Sequence, residues 1–409
     1  MSVRQPLRDY LQARRDEQVA FLVDLVRRPS ENPPGDLAPH AAATADLLAG
    51  LGLEVERHPV PAELVHGAGL ISVTNLVLRR RFGEGPTIAL NAHGDGVPPG
   101  EGWSRPAYGG VIENGVLYGR AAAVSKSDFA TYVFALLALE VSGLALSGTV
   151  ELHFTYDEES GGGLGPEWLL AEGVSKPDLA ICAGFAHGVI VAHNGCLHLE
   201  ARVRGRQAHA ALPATGVDAL EAATGVLQAL YAGRQRFGEV RSAVEGIETP
   251  SLVVGLIEGG VNTNVVPDLV CLRLDRRLIP EEDSGAVEAE LRTLIEAAVA
   301  EYPGAEVAIE RLLLAEPLLP TEASRKLGET IADAAAEVSG AAVRLHGVPL
   351  YTDARHYARA GVPTVLYGAG PKTIEEANAH SADEQLRLTD LGLATEVVAL
   401  ALARLLGAG

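Results

Sequence analysis

Asp157, Glu158 and Glu159 put three consecutive carboxyl groups one residue beyond the alternating run Thr149 to Thr155 and just ahead of Gly161, Gly162 and Gly163. The period-two alternation, with Val and Phe in it, predicts a strand. Neighbouring side chains of a strand point to opposite faces, so Glu158 and Glu159 serve one cleft only where the backbone has left the sheet. The glycines permit that departure. Two adjacent carboxylates beyond a strand's carboxyl end suit a metal ligand beside a general base. Read alone, the same residues also fit a solvated acidic turn.

Other loops carry matching chemistry. His93 and Asp95 lie in AHGDGVPPGEGW, Asp128 follows the loop AAAVSK, and His380 lies in EEANAHSADE. A divalent cation asks for imidazole and carboxylate ligands, a further carboxylate to orient a histidine, and a free base beside its water. His93, Asp95, Glu159, His380 and Glu158 offer those groups in turn.

The elements around these residues read as alternating helix and strand. An opening helix is expected over Leu7 to Arg28, ending at Pro29, then a helix over Ala38 to Leu51 and strands over Leu53 to Val60, Ile71 to Arg79 and Pro86 to Asn91. His93 and Asp95 would then sit in the loop after the last of these. A hairpin is expected around Asn114 and Gly115, and a helix over Lys126 to Ser142 with Ser125 and Asp128 as a capping box. From Cys196 the texture changes to half-exposed strands with two amphipathic helices, and α/β alternation resumes afterwards, closing with a helix capped by Thr389. The fold expected is therefore α/β, a mixed and mainly parallel sheet between helices, with an inserted α+β domain. We divide the chain into residues 1–195 with 315–409, and an inserted 196–314.

Composition narrows the function. The 409 residues include 47% hydrophobic and 21% charged, enough for two to three cores. A formal charge of −20 opposes binding to nucleic acid or an anionic membrane. The first residues lack the apolar core of a signal peptide, and the longest apolar run, Phe129 to Leu139, is too short to span a bilayer. Cys182, Cys196 and Cys271 show no zinc-type spacing and read as small core residues in a reducing setting. A cytoplasmic protein acting on a small molecule is the expectation.

The ordered set PSENPPG, NAHGDGVPPGEGW, NGVLYGR, TYDEESGG, GRQAHAALPATGVDAL, NTNVVPD, LDRR, YTDARHY, GAG and AHSADE resembles the metallopeptidase family of glutamate carboxypeptidase, aminoacylase and succinyl-diaminopimelate desuccinylase. The resemblance implies a catalytic α/β domain interrupted by a lid that also forms a homodimer. It implies His93 as a zinc ligand oriented by Asp95, Glu158 as general base, and Glu159 and His380 as ligands of a second zinc. His209 resembles the lid histidine that reaches the partner's active site to polarise the scissile carbonyl. Asn264 and Arg277 resemble groups that hold the substrate and its carboxylate.

Two positions depart from the family pattern. Val124 stands where the metal-bridging aspartate is expected, and Gly184 where a further acidic ligand is expected. Asp128, about 6 Å further along a helix, either supplies a replacement carboxylate or caps its helix. His187 and His193 are further replacement candidates beside a structural reading. The number of ions, one or two, and their identity, zinc with manganese or cobalt as alternatives, stay open.

The function expected is hydrolysis of an amide bond in a small carboxylate-bearing substrate such as an N-acyl amino acid or dipeptide. The alternatives are hydrolytic deamination of a small aromatic or heterocyclic amine, and a non-catalytic binding relative.

Overall fold

The run Thr149–Thr155 is a strand, and nearly all of it is buried. It lies inside an eight-stranded sheet ordered Glu56–Pro59, Thr74–Arg81, Thr149–Thr155, Thr87–His93, Leu179–Cys182, Thr364–Leu366, Val189–His193, Leu345–Val348. The four strands from Thr149–Thr155 to Thr364–Leu366 run parallel. Their register pairs His93 with Thr155, Asn91 with Cys182 and Leu366 with Cys182, so their carboxyl ends finish nearly level. The flanking strands Thr74–Arg81 and Glu56–Pro59 are antiparallel.

A computed structural model describes residues 3–407. Contacts divide the chain into two units. One holds the chain through Val191, Pro320–His346 and everything from Thr352; the other holds Ala192–Leu319 with Gly347–Tyr351.

In the first unit the helix Ser127–Val141 is buried continuously from Ser127 to Leu139, and the C-terminal helix Leu388–Leu405 belongs to the same core. The stretch Ala122–Val141 has the length and apolarity of a membrane span at 20 residues, more than the sequence reading counted, but 94% of its most apolar 18 residues are buried inside the protein. It is a core helix.

Several local expectations need correction. The opening helix breaks at Arg14 into Arg4–Ala13 and Arg15–Val26. No Ser125–Asp128 capping box forms: the Ser125 hydroxyl lies 3.0 Å from both the His93 amide and the His93 carbonyl, and a wide helical turn, Ala122–Lys126, leads into the helix instead. The last helix starts at Leu388, with Arg387 rather than Thr389 at its cap position. The strands Val189–His193 and Leu345–Val348 carry no signal that the sequence reading recognised. The hairpin does turn at Asn114 and Gly115, both in left-handed conformation.

The second unit is an antiparallel sheet ordered Ser251–Gly259, Leu269–Leu278, Gly195–Arg204, Glu306–Ala315. Two helices, Ala219–Phe237 and Ser284–Ala300, share its core, each started by an aspartate that accepts backbone N–H groups, Asp218 and Asp283. Strand periodicity sends Leu197, Leu199, Ala201 and Val203 into that core and turns Cys196, His198, Glu200 and Arg202 to the opposite face.

Candidate active site

His93 is the last residue of its strand rather than a loop residue, and Asp95 lies two positions beyond it, fully buried. The Asp95 carboxylate organises its surroundings. Its Oδ1 is 3.3 Å from His93 Nδ1 and accepts the Glu158 N–H at 3.3 Å; its Oδ2 accepts from Glu159 N–H at 3.1 Å and from Asn32 Nδ2 at 3.0 Å. The buried aspartate thus holds the imidazole and the acidic turn at once.

That turn is a short 3-10 segment, Glu158–Ser160, beginning after Asp157 leaves the strand geometry and ending at Gly161 and Gly162 with positive φ. Glu158 and Glu159 consequently leave the sheet together. Glu158 Oε2 lies 3.9 Å from His93 Nε2, and Glu159 Oε1 lies 3.1 Å from His380 Nε2. His93, Glu158 and Glu159 offer ligand atoms all within 4.8 Å of one another. Glu159 Oε1 is buried and accepts no well-formed hydrogen bond. A convergent N/O donor set in which a buried carboxylate oxygen has only an imidazole nitrogen beside it fits a divalent cation.

The electrostatics follow from burial and crowding. Burial pushes the Glu158 carboxyl well above its usual range; Glu159, Asp353 and Asp95 push the same way, and His93 opposes them. Burial works against charging His93, but Asp95, Glu158 and Glu159 outweigh it and raise the imidazole well above its ordinary value. The adjacent Glu159 raises His380.

Asp128 is not among these convergent donors. It is buried, Oδ1 accepting from the Ala369 amide at 2.6 Å and Oδ2 from the Gly184 amide at 3.2 Å. Its carboxylate therefore ties the ends of two parallel strands. His187 pairs with Asp390 at 3.1 Å, and His193 Nδ1 lies 2.8 Å from the Asn194 carbonyl; neither is among the convergent donors. Val124 is half-buried in the turn Ala122–Lys126. A Cβ on Gly184 would lie 2.7 Å from the Tyr367 amide nitrogen, so no side chain fits there.

Three segments supply functional groups beyond those expected from sequence. Asp353, in YTDARHY, is buried with Oδ1 lacking a hydrogen bond, and burial raises its carboxyl to about 6. Gly162 makes room for it: a Cβ there would lie 2.2 Å from Asp353 Oδ1. Arg355 and His356, from the same segment, both bond the Gly161 carbonyl and brace the acidic turn. Glu384, in AHSADE, is buried and accepts from Arg120 at 2.8 Å and from the amides of Ala121, Ala123 and Val124 at 3.0, 3.0 and 3.2 Å. Asn32, in PSENPPG, reaches Asp95. All three sit in quoted motifs, and that position was the available signal.

In the second unit His209 is exposed, with Nδ1 accepting the Ala211 N–H at 3.0 Å. Asn264 is exposed, and its carbonyl accepts the Ala210 N–H at 3.0 Å, so a backbone contact links the two segments. Arg277 is half-buried, its Nε 2.9 Å from Asp275 Oδ1 and its guanidinium over the Tyr351 ring at 5.6 Å.

This site at the ends of parallel strands, in a chain that also carries a separate antiparallel unit, describes a metal-dependent hydrolase, and the family model agrees. Residues 89–404 match peptidase family M20/M25/M40, and the chain belongs to that family. It is similar to succinyl-diaminopimelate desuccinylase of Gluconacetobacter diazotrophicus, 29% identical over 396 residues that cover 94% of this chain and 96% of the relative. Its fold is similar to that of the di-peptidase Dug1p of Saccharomyces cerevisiae, with a TM-score of 0.79, 15% identity and 99% of each chain covered. It is also similar in fold to YXEP of Bacillus subtilis, described as a dinuclear metal binding peptidase, with a TM-score of 0.68, 18% identity and 96% and 99% of the two chains covered. The protein is a metal-dependent hydrolase of amide bonds in small substrates, and its family disfavours the deaminase and non-catalytic readings.

Proposed function

We propose that the chain hydrolyses the amide bond of a small carboxylate-bearing substrate, an N-acyl amino acid or dipeptide, with Glu158 as general base. The observation that carries this is the paired arrangement of Glu158 facing His93 and Glu159 facing His380, two carboxylates from one turn with different partners. The names of the desuccinylase and di-peptidase relatives support the substrate class.

His93, Glu159 and His380 would hold a divalent ion, zinc by ligand type with manganese or cobalt as substitutes, and Asp95 keeps His93 oriented. When bound, that ion polarises the scissile carbonyl and acidifies a water. Glu158 takes the water's proton and returns it to the leaving amine. His209, Asn264 and Arg277 would bind substrate, Arg277 pairing with its carboxylate and His209 of a homodimer stabilising the oxyanion.

We further propose that one ion suffices. Two cations about 3.5–4 Å apart need an anionic bridge. Val124 supplies none, Gly184 has no space for one, and each Asp128 oxygen is drawn to a backbone amide at a strand end. A cytoplasmic location accords with the acidic, reducing-type composition.

The test is Glu158→Gln. Turnover of N-acyl amino acids should fall by about 10²–10⁴ while metal content is unchanged. Undiminished turnover with metal bound would remove Glu158 from the reaction.

A further inference from the structure

Cys196, His198 and Asp275 form a second convergent donor set, in the other unit and sharing no ligand with the catalytic group. Sulfur and imidazole come from one strand at alternate positions, and the carboxylate comes from the strand beside it, where Asp275 pairs directly with His198 and Arg277 with Cys196. All three side chains lie on the face turned away from the helices. Spacing along the chain conceals the group, because Asp275 is 79 residues from Cys196. Reading Cys196 as only a small core residue is therefore incomplete.

The three donor atoms form a triangle. Cys196 Sγ is 3.2 Å from His198 Nε2 and 3.6 Å from Asp275 Oδ2, and those two are 2.9 Å apart. The same ring nitrogen faces both sulfur and carboxylate. A nucleophile relay would use the two ring nitrogens separately, one towards each partner. Convergence on a single point is instead the arrangement of metal ligands. A tetrahedral zinc ion with ordinary bond lengths spaces such donors by about 3.3–3.6 Å. The sulfur edges are close to this already, and the nitrogen–oxygen edge needs to open by only about half an ångström.

The surroundings suit a bound cation. Asp275 Oδ1 is engaged by Arg277 Nε at 2.9 Å, which fixes the carboxylate and leaves Oδ2 towards the triangle. Cys196 is buried, whereas His198 and Asp275 keep 36% and 29% of their side chains exposed, so the site has one solvent-facing side for entry and for a fourth ligand. Thiolate and carboxylate together bring two negative charges to a divalent ion. Both strands are central in their sheet, which holds the donors in place before binding.

We propose that Cys196, His198 and Asp275 bind a thiophilic divalent cation, zinc by ligand type, as a second and sulfur-ligated metal site. Its ligand chemistry separates it from the catalytic group, whose candidate donors contain no sulfur. The alternative is an ion-pair network of His198, Asp275 and Arg277 that binds no metal.

Cobalt(II) titration of the metal-stripped 409-residue chain under reducing conditions distinguishes the two. The expected result is a sulfur-to-cobalt charge-transfer absorption that saturates by two equivalents per chain, one of them taken by the catalytic group, and is abolished by zinc. It should survive Glu159→Gln and the double variant Cys182→Ser/Cys271→Ser, and vanish in Cys196→Ser. Because Cys196 is buried and its replacement risks misfolding, His198→Ala provides the second arm. It should weaken cobalt binding by more than the roughly 10–100-fold that loss of an outer-shell partner causes. No charge-transfer absorption at saturating cobalt, or one unaltered in Cys196→Ser or His198→Ala, would overturn the site.

Discussion

Asp95 Oδ2 accepts the backbone N–H of Glu159 at 3.1 Å. The aspartate that orients His93 thereby also sets the direction in which the second acidic residue leaves its strand. Asp95→Asn keeps the shape but turns an amide NH₂ towards groups that are themselves donors. The expected outcome is a loss of about 1–3 kcal/mol in stability from an unsatisfied buried donor. Metal affinity should fall about 10–100-fold. Urea unfolding and competition with a chelator measure the two effects.

Gly162 has φ of 67°, and a Cβ there would collide with Asp353 Oδ1. Gly162→Ala should lose about 1–3 kcal/mol through backbone strain. Because the turn carries Glu158, kcat should fall with it. Thermal unfolding and steady-state kinetics on one preparation read both.

Val124 and Gly184 should respond oppositely to a carboxylate. Val124→Asp is expected to fold and to raise bound metal from one ion to two per chain at the catalytic group, counted by metal analysis in a Cys196→Ser background. Gly184→Asp should fold poorly, because its Cβ would press on the backbone of Leu366 and Tyr367. Soluble yield and circular dichroism separate the variants.

Lys126 is fully buried, its Nζ donating to the Arg28 carbonyl at 3.0 Å and the Leu25 carbonyl at 3.3 Å, and burial lowers its pKa to about 7. The unfolded lysine titrates near 10.5, so between these values the unfolded chain holds the extra proton and stability rises with pH. Lysine's contribution should improve by about 2 kcal/mol from pH 7 to pH 9. Lys126→Met should remove that increment, measured by urea unfolding of chelator-treated protein at both values.

Local pattern made much of this molecule legible. The alternation of Thr149–Thr155 marks the observed strand residue for residue, and Gly161 and Gly162 take the positive φ that lets Glu158 and Glu159 leave it together. Long-range partnerships were not legible. Asp128 meets amides 56 and 241 residues away, and neither distance leaves a trace in its own segment. The Ser125 hydroxyl, which has the type and spacing of a helix cap, instead bonds His93 across 32 residues. Asp353 and Glu384 lay inside recognised motifs, but their roles depend on burial that composition alone does not reveal.

The crowding at Gly184 also decides which changes the site can accept. At Val124 one substitution introduces an acidic side chain. At position 184 the strand Thr364–Leu366 and the residue after it occupy the space such a side chain would need, so the backbone must retreat before any acidic residue is tolerated. The two positions are therefore unequal as starting points for redesign: the first takes a carboxylate in one step, while the second needs a loosened strand end first.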